Sequence, residues 1–138
     1  MRCVAAIDPG KDKSGFAVLD AGGSTLFQCI VPTAAIPEQL TPQLLLHQPE
    51  CLVLGNGTTS RQMQQCLQQA WPELPIVIVD EYRTTQAARE EYWKKYPPKG
   101  WRRLLPVTMQ VPPVPVDDFA AVLLARRYVL RGKQEETV

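Results

Sequence analysis

Histidine is nearly missing from this sequence. His47 is the only one, and the four cysteines, Cys3, Cys29, Cys51 and Cys66, lie 26, 22 and 15 residues apart with no Cys-x-x-Cys pair. A zinc site therefore has almost no ligands to draw on, and a serine or cysteine nucleophile has hardly any base to partner it. No apolar run approaches the roughly 18 residues of a membrane span, and the apolar start, Cys3 to Ile7, meets Asp8 too soon for a signal peptide. A coiled coil is excluded by 13 prolines and 8 glycines in 138 residues. What is present, 45% hydrophobic residues, excludes disorder and supports one hydrophobic core, hence a single domain over 1–138. Cysteines among apolar neighbours read as free, buried thiols in a reducing compartment, so the expected location is the cytoplasm, with no membrane partner.

Charge is scarce in one sense only. The net +1 hides a segregation: residues 1–93 hold 6 Lys/Arg against 10 Asp/Glu, a net of −4, whereas 94–133 hold 9 against 2, a net of +7. A basic C-terminal third points to a polyanionic partner.

Cys3 to Asp8 is an apolar run closed by an acid and Pro9-Gly10, as a buried strand ending in a turn would be. Ser14 to Leu19 and Thr25 to Val31 flank the turn signal Ala21-Gly22-Gly23-Ser24, completing a three-strand antiparallel meander. Helical spacing follows over Pro37 to His47 (Leu40, Leu44, Leu45) and again at Met63, Cys66, Leu67 and Ala70, behind the capping hydroxyls of Thr58 to Ser60. Between these helices lies a short strand, Cys51 to Leu54, stopped by Gly55-Asn56-Gly57; Pro75 to Val79 is a fifth strand. A helix from Thr84 or Thr85 to about Lys95 precedes the proline-rich, basic segment 97–115. The last helix runs from Asp117 to about Arg131, with Phe119, Val122, Leu123 and Ala125 on its apolar side, and a polar tail covers 132–138. The expected fold class is α/β: a mixed five-stranded sheet, antiparallel meander first and parallel strands after, strand 1 central, helices on both faces. This order resembles the ribonuclease H-like arrangement.

Asp8 follows strand 1 and Glu81 follows the fifth strand. If those strands are parallel, both acids emerge at one carboxyl edge, where open α/β sheets build their sites. Asp117 and Asp118 open the last helix, which can bring a third carboxylate there. Clustered carboxylates repel unless a hard divalent cation joins them, and an all-oxygen site suits Mg2+ or Mn2+. Each acid also has a plain reading, as turn residue, loop charge or helix N-terminal acid; their coincidence at one edge favours the functional one. Beside them, Lys11, Lys13 and Arg83 are candidate nucleic-acid contacts, and Trp101 with Arg102 and Arg103 can stack a base and meet phosphates.

Asp8-Pro9-Gly10 with Gly15, Ala17 and Asp20 resembles the opening of the RuvC-like and YqgF-like families, Holliday-junction resolvases and pre-16S rRNA nucleases of the RNase H-like superfamily. Val79-Asp80-Glu81-Tyr82-Arg83-Thr84-Thr85 resembles the YqgF Asp-Glu-Arg pattern with its Thr-Thr helix cap, and Val116-Asp117-Asp118-Phe119-Ala120-Ala121 its final helix start. Gly55-Asn56-Gly57 falls where these families keep a glycine-bearing loop. Asp12 stands where the pattern has a basic residue, and Arg83 is displaced by one. The resemblance implies a metal-dependent endonuclease for structured nucleic acid, branched DNA or an rRNA precursor, with Asp8, Glu81 and Asp117 as catalytic metal ligands; Asp118, which has no counterpart in the YqgF pattern, is a candidate outer-sphere or fourth acid. A silent nucleic-acid-binding module of the same fold stays open, as does homodimer against monomer. An actin-like or sugar-kinase ATPase lobe also opens on a strand and an Asp-x-Gly loop, but it needs two lobes and this length supplies one.

Overall fold

The computed structural model describes residues 3–57, 60–79, 84–97 and 117–136, with side chains in the last two helices described over 88–97 and 118–130. Among the described residues ten elements follow one another: β1 (Cys3–Asp8), β2 (Lys13–Asp20), β3 (Thr25–Pro32), a 3-10 turn (Thr33–Ala35), α1 (Ile36–His47), β4 (Leu52–Gly55), α2 (Ser60–Ala70), β5 (Ile76–Val79), α3 (Thr84–Lys95) and α4 (Asp117–Glu136). The sheet order is β3-β2-β1-β4-β5. β2 pairs antiparallel with both β1 and β3, and β4 lies parallel to both β1 and β5. The meander, the mixed sheet and the central β1 are thus as the sequence predicts.

β1 is apolar from Cys3 to Ile7 because both its faces are covered there. Cys3, Ala5 and Ile7 pack with Phe16, Val18, Leu40, Leu44, Met63 and Leu67 under α1 and α2. Val4 and Ala6 face the other way, against Ala17, Leu19, Val53 and the α4 residues Ala121, Leu124, Ala125 and Val129. Fully burying each large aliphatic side chain here contributes about 1.5–3 kcal/mol. α3 packs on α4 through Tyr92, whose ring meets Phe119 edge-on at 6.1 Å. No helix among the described residues is long and apolar enough to cross a membrane.

Three details depart from the expected pattern. Leu45, Cys66 and Ala70, assigned to buried helix stripes, are exposed, Leu45 by 72%. Leu123 is only half-buried, because α4 lays its small residues Ala121 and Ala125 against the sheet and turns Leu123 aside. α4 also continues to Glu136, five residues past the expected end at Arg131, so the polar stretch after Gly132 is largely helical. The segment 97–115 lies, after Pro97, outside the described residues, as do the Thr58 and Thr59 caps.

Candidate functional site

Parallel pairing brings the carboxyl ends of β1, β4 and β5 to one edge. The register sets Ile7 beside Leu54 and Leu54 beside Ile78, so Asp8, Gly55 and Val79 stand at one level. The loop after β4 is tied to β5 there by Asn56 N–H donating to the Val79 carbonyl at 3.1 Å. By strand alternation Asp8 shares a face with Val4 and Ala6, the face that α4 covers.

The start of α4 is anchored to that same face. Gln28 Nε2 donates to Asp118 Oδ2 at 2.8 Å, while Oδ1 accepts the Phe119 N–H at 3.0 Å. Gln28 is level with Ala17 and Ala6, two residues below the level of Asp8 and two strands away. That offset is about 7 Å along the strands and about 10 Å across them. Asp118 is therefore held toward β3, with both oxygens engaged, and Asp117 is the residue that opens α4. The Asp117 side chain, Glu81, Arg83, Trp101, Arg102 and Arg103 lie outside the described residues. Among those described, no three or more His, Cys, Asp or Glu stand close enough to hold a metal ion.

The turn from Asp8 into β2 is tightly built. Gly10 has no room for a side chain: a Cβ there would sit 2.2 Å from the Lys13 carbonyl oxygen. Its N–H donates to Ser14 Oγ (3.1 Å), Ser14 Oγ meets Thr33 Oγ1 (2.8 Å), and Thr33 Oγ1 donates to the Gly10 carbonyl (2.8 Å). Ser14 is fully buried, whereas Lys11, Asp12 and Lys13 project into solvent. Sequence reading missed Ser14, Thr33 and Gln28. The signals for the first two were a lone hydroxyl opening an apolar strand and another directly after Pro32. Asp20, part of the resemblance, has a local role: its Oδ1 accepts the Gly22 and Ser24 N–H groups at 2.9 Å each, while Gly23 takes φ +90° in the hairpin turn.

The thiols are free. Cys3 and Cys51 are buried, Cys29 is half-buried and Cys66 exposed. Burial pushes the thiol pKa of Cys3, Cys29 and Cys51 up, assisted by the negative charge of Glu50 at Cys3, of Asp118 at Cys29 and of Glu50 at Cys51, where a Tyr128 hydrogen bond opposes the rise. Such thiols are inert rather than nucleophilic. His47 closes α1, where its carbonyl accepts the Cys3 thiol at 3.2 Å.

In three dimensions the chain is similar to the RuvC structure of Thermus thermophilus, at a TM-score of 0.64 and 16% identity over 96% of each chain. The fold is RNase H-like. Weaker likenesses are to Archaeoglobus fulgidus Pelota (TM-score 0.48, 13% identity, 97% of this chain and 35% of that one) and to the nuclease domain of the large terminase subunit gp2 of bacterial virus Sf6 (0.45, 14%, 58% and 37%). No protein-family model and no curated protein sequence matches the chain.

Proposed function

We propose that this RNase H-like domain is a divalent-metal-dependent endonuclease that hydrolyses phosphodiester bonds in structured nucleic acid, branched DNA before all. The observation that carries the reading is the position of Asp8. It ends the central strand, level with the ends of β4 and β5, on the face that α4 covers from its first turn. Glu81, two residues beyond Val79, and Asp117, at the start of α4, complete a hard, all-oxygen donor set suited to Mg2+ or Mn2+. Asp8, Glu81 and Asp117 would hold such ions, which when bound would supply an activated water and charge neutralisation at the phosphate, so no histidine base would be needed. The chain's own part is to fix these carboxylates and to hold the substrate backbone. Lys11 and Lys13 are exposed in the stretch that leads from Asp8 into β2, and Arg83, Trp101, Arg102 and Arg103 belong to the segments that follow β5 and α3 in the sequence. A homodimer goes with junction cutting, since opposite strands need two sites.

A cleavage panel tests the proposal: four-way junction DNA, duplex DNA, single strands and an rRNA precursor, each with Mg2+ or Mn2+. Wild-type protein is expected to cut the junction, and Asp8→Asn to lose that cutting by at least two orders of magnitude while keeping its circular dichroism. Cleavage of the rRNA precursor alone moves the substrate to RNA. Binding without cleavage of any substrate overturns the catalytic reading, and undiminished turnover by Asp8→Asn removes Asp8 from the site.

A further inference from the structure

The hydrogen bonds around Gly10 determine where each proton lies. Thr33 Oγ1 gives its only hydrogen to the Gly10 carbonyl, so the 2.8 Å contact between the two hydroxyls must be donated by Ser14. Ser14 Oγ in turn accepts the Gly10 N–H. The result is a closed ring: Gly10 N–H to Ser14, Ser14 to Thr33, Thr33 back to Gly10 C=O. Each member is both donor and acceptor, an arrangement in which hydrogen bonds reinforce one another. The ring is reinforced from outside by the Thr33 N–H, which donates to the Asp12 carbonyl at 3.0 Å. With Ser14 fully buried, water has no ready access to replace a lost partner there.

The ring joins three separate segments: the turn after β1, the first residues of β2, and the chain entering α1. Asp8 sits between its fixed points. Gly10 is two residues beyond Asp8 in the chain, and Gly15, the cross-strand partner of Asp8, directly follows Ser14. We infer that Ser14 and Thr33 are positioning residues, acting through Gly10 to hold Asp8 in the pose from which it binds a divalent cation. This rests on the proposed metal-dependent function. An ordinary turn would need only the glycine; the interlocked hydroxyls add rigidity beside a carboxylate whose placement decides ion affinity.

The test reads metal binding directly. Mn2+ affinity of the full chain is measured by calorimetry or by the loss of the free Mn2+ paramagnetic resonance signal, at a temperature where every variant is folded. Ser14→Ala and Thr33→Val each break the ring and are expected to weaken Mn2+ binding at least tenfold, with native circular dichroism. Thr33→Ser keeps the hydroxyl and should stay within about twofold of wild type. If Ser14→Ala does not fold, Thr33→Val, at a half-buried position, carries the test. A lower melting temperature without any change in Mn2+ affinity means the ring is merely structural and overturns the inference. Wild-type protein that binds no Mn2+, or Asp8→Asn that binds it undiminished, instead overturns the proposed function, and the inference with it.

Discussion

At the scale of single residues, polar groups are distinguished by what they touch. Asp20, at the opposite end of the sheet from Asp8, accepts two backbone N–H groups of its own hairpin. The thiols divide in the same way. Ellman's reagent at pH 8 should find one fast thiol per chain, Cys66, and Cys66→Ser should abolish that phase, because the other three are shielded in whole or in part. The raised thiol pKa values of Cys3, Cys29 and Cys51 also set a sign for stability. On raising the pH, the unfolded chain loses its thiol protons first, from about 8.5 upward, and then binds fewer protons than the fold. The contribution of these groups is therefore constant below about pH 8 and destabilising above it. Chemical denaturation across pH 7 to 10.5 measures this, and Cys3→Ala should reduce the alkaline loss.

At the scale of elements, hydrophobic spacing located the helices but not always the side that packs. α1 and α2 were legible from Leu40, Leu44, Met63 and Leu67, all buried. Leu45 satisfies the same spacing and lies in solvent, since a periodic stripe is wider than the contact one neighbouring sheet can cover. In α4 the alanines Ala121 and Ala125 sit in the contact beside Leu124 and Val129, and spacing of large residues alone says nothing of the alanines' part. Ala121→Leu, at a fully buried position, should cost about 1–3 kcal/mol through overpacking, whereas Leu45→Ala should stay within about 0.5 kcal/mol. Urea titrations of the two variants compare them directly; equal costs would mean that α4 does not bear on the sheet through Ala121. The length of α4 was misjudged for a local reason: Gly132 and the polar residues after it read as a stop, yet the helix runs through them.

At the scale of the molecule, the division of charge bears on the substrate. Residues 94–133 carry the net +7, with Arg102 and Arg103 among them. If both contact backbone phosphates, replacing them together by alanine should weaken binding to all sequences alike. The slope of log affinity against log salt should then shrink by roughly two units on duplex arms, about 0.9 per lost contact. Asp8→Asn, which removes a negative charge, should hold or tighten metal-free binding in the same salt series. An unchanged slope in the double arginine variant moves the positive track elsewhere, to Lys11 and Lys13 or to α4.

The order of strands and helices, the antiparallel-then-parallel sheet and the central place of β1 were determined by the sequence alone. They follow from local signals: an apolar run closed by Asp8-Pro9-Gly10, a Gly-Gly hairpin, and alternation of helical and strand spacing. The candidate acids were legible for the same reason, each being attached to the end of an element. Tertiary structure alone decided what Asp118 and Ser14 meet. Gln28 lies 90 residues before Asp118, and Thr33 lies 19 beyond Ser14. Only strand register and the crossing of α4 bring such pairs together, because a hydrogen bond depends on a distance of about 3 Å that no spacing along the chain encodes.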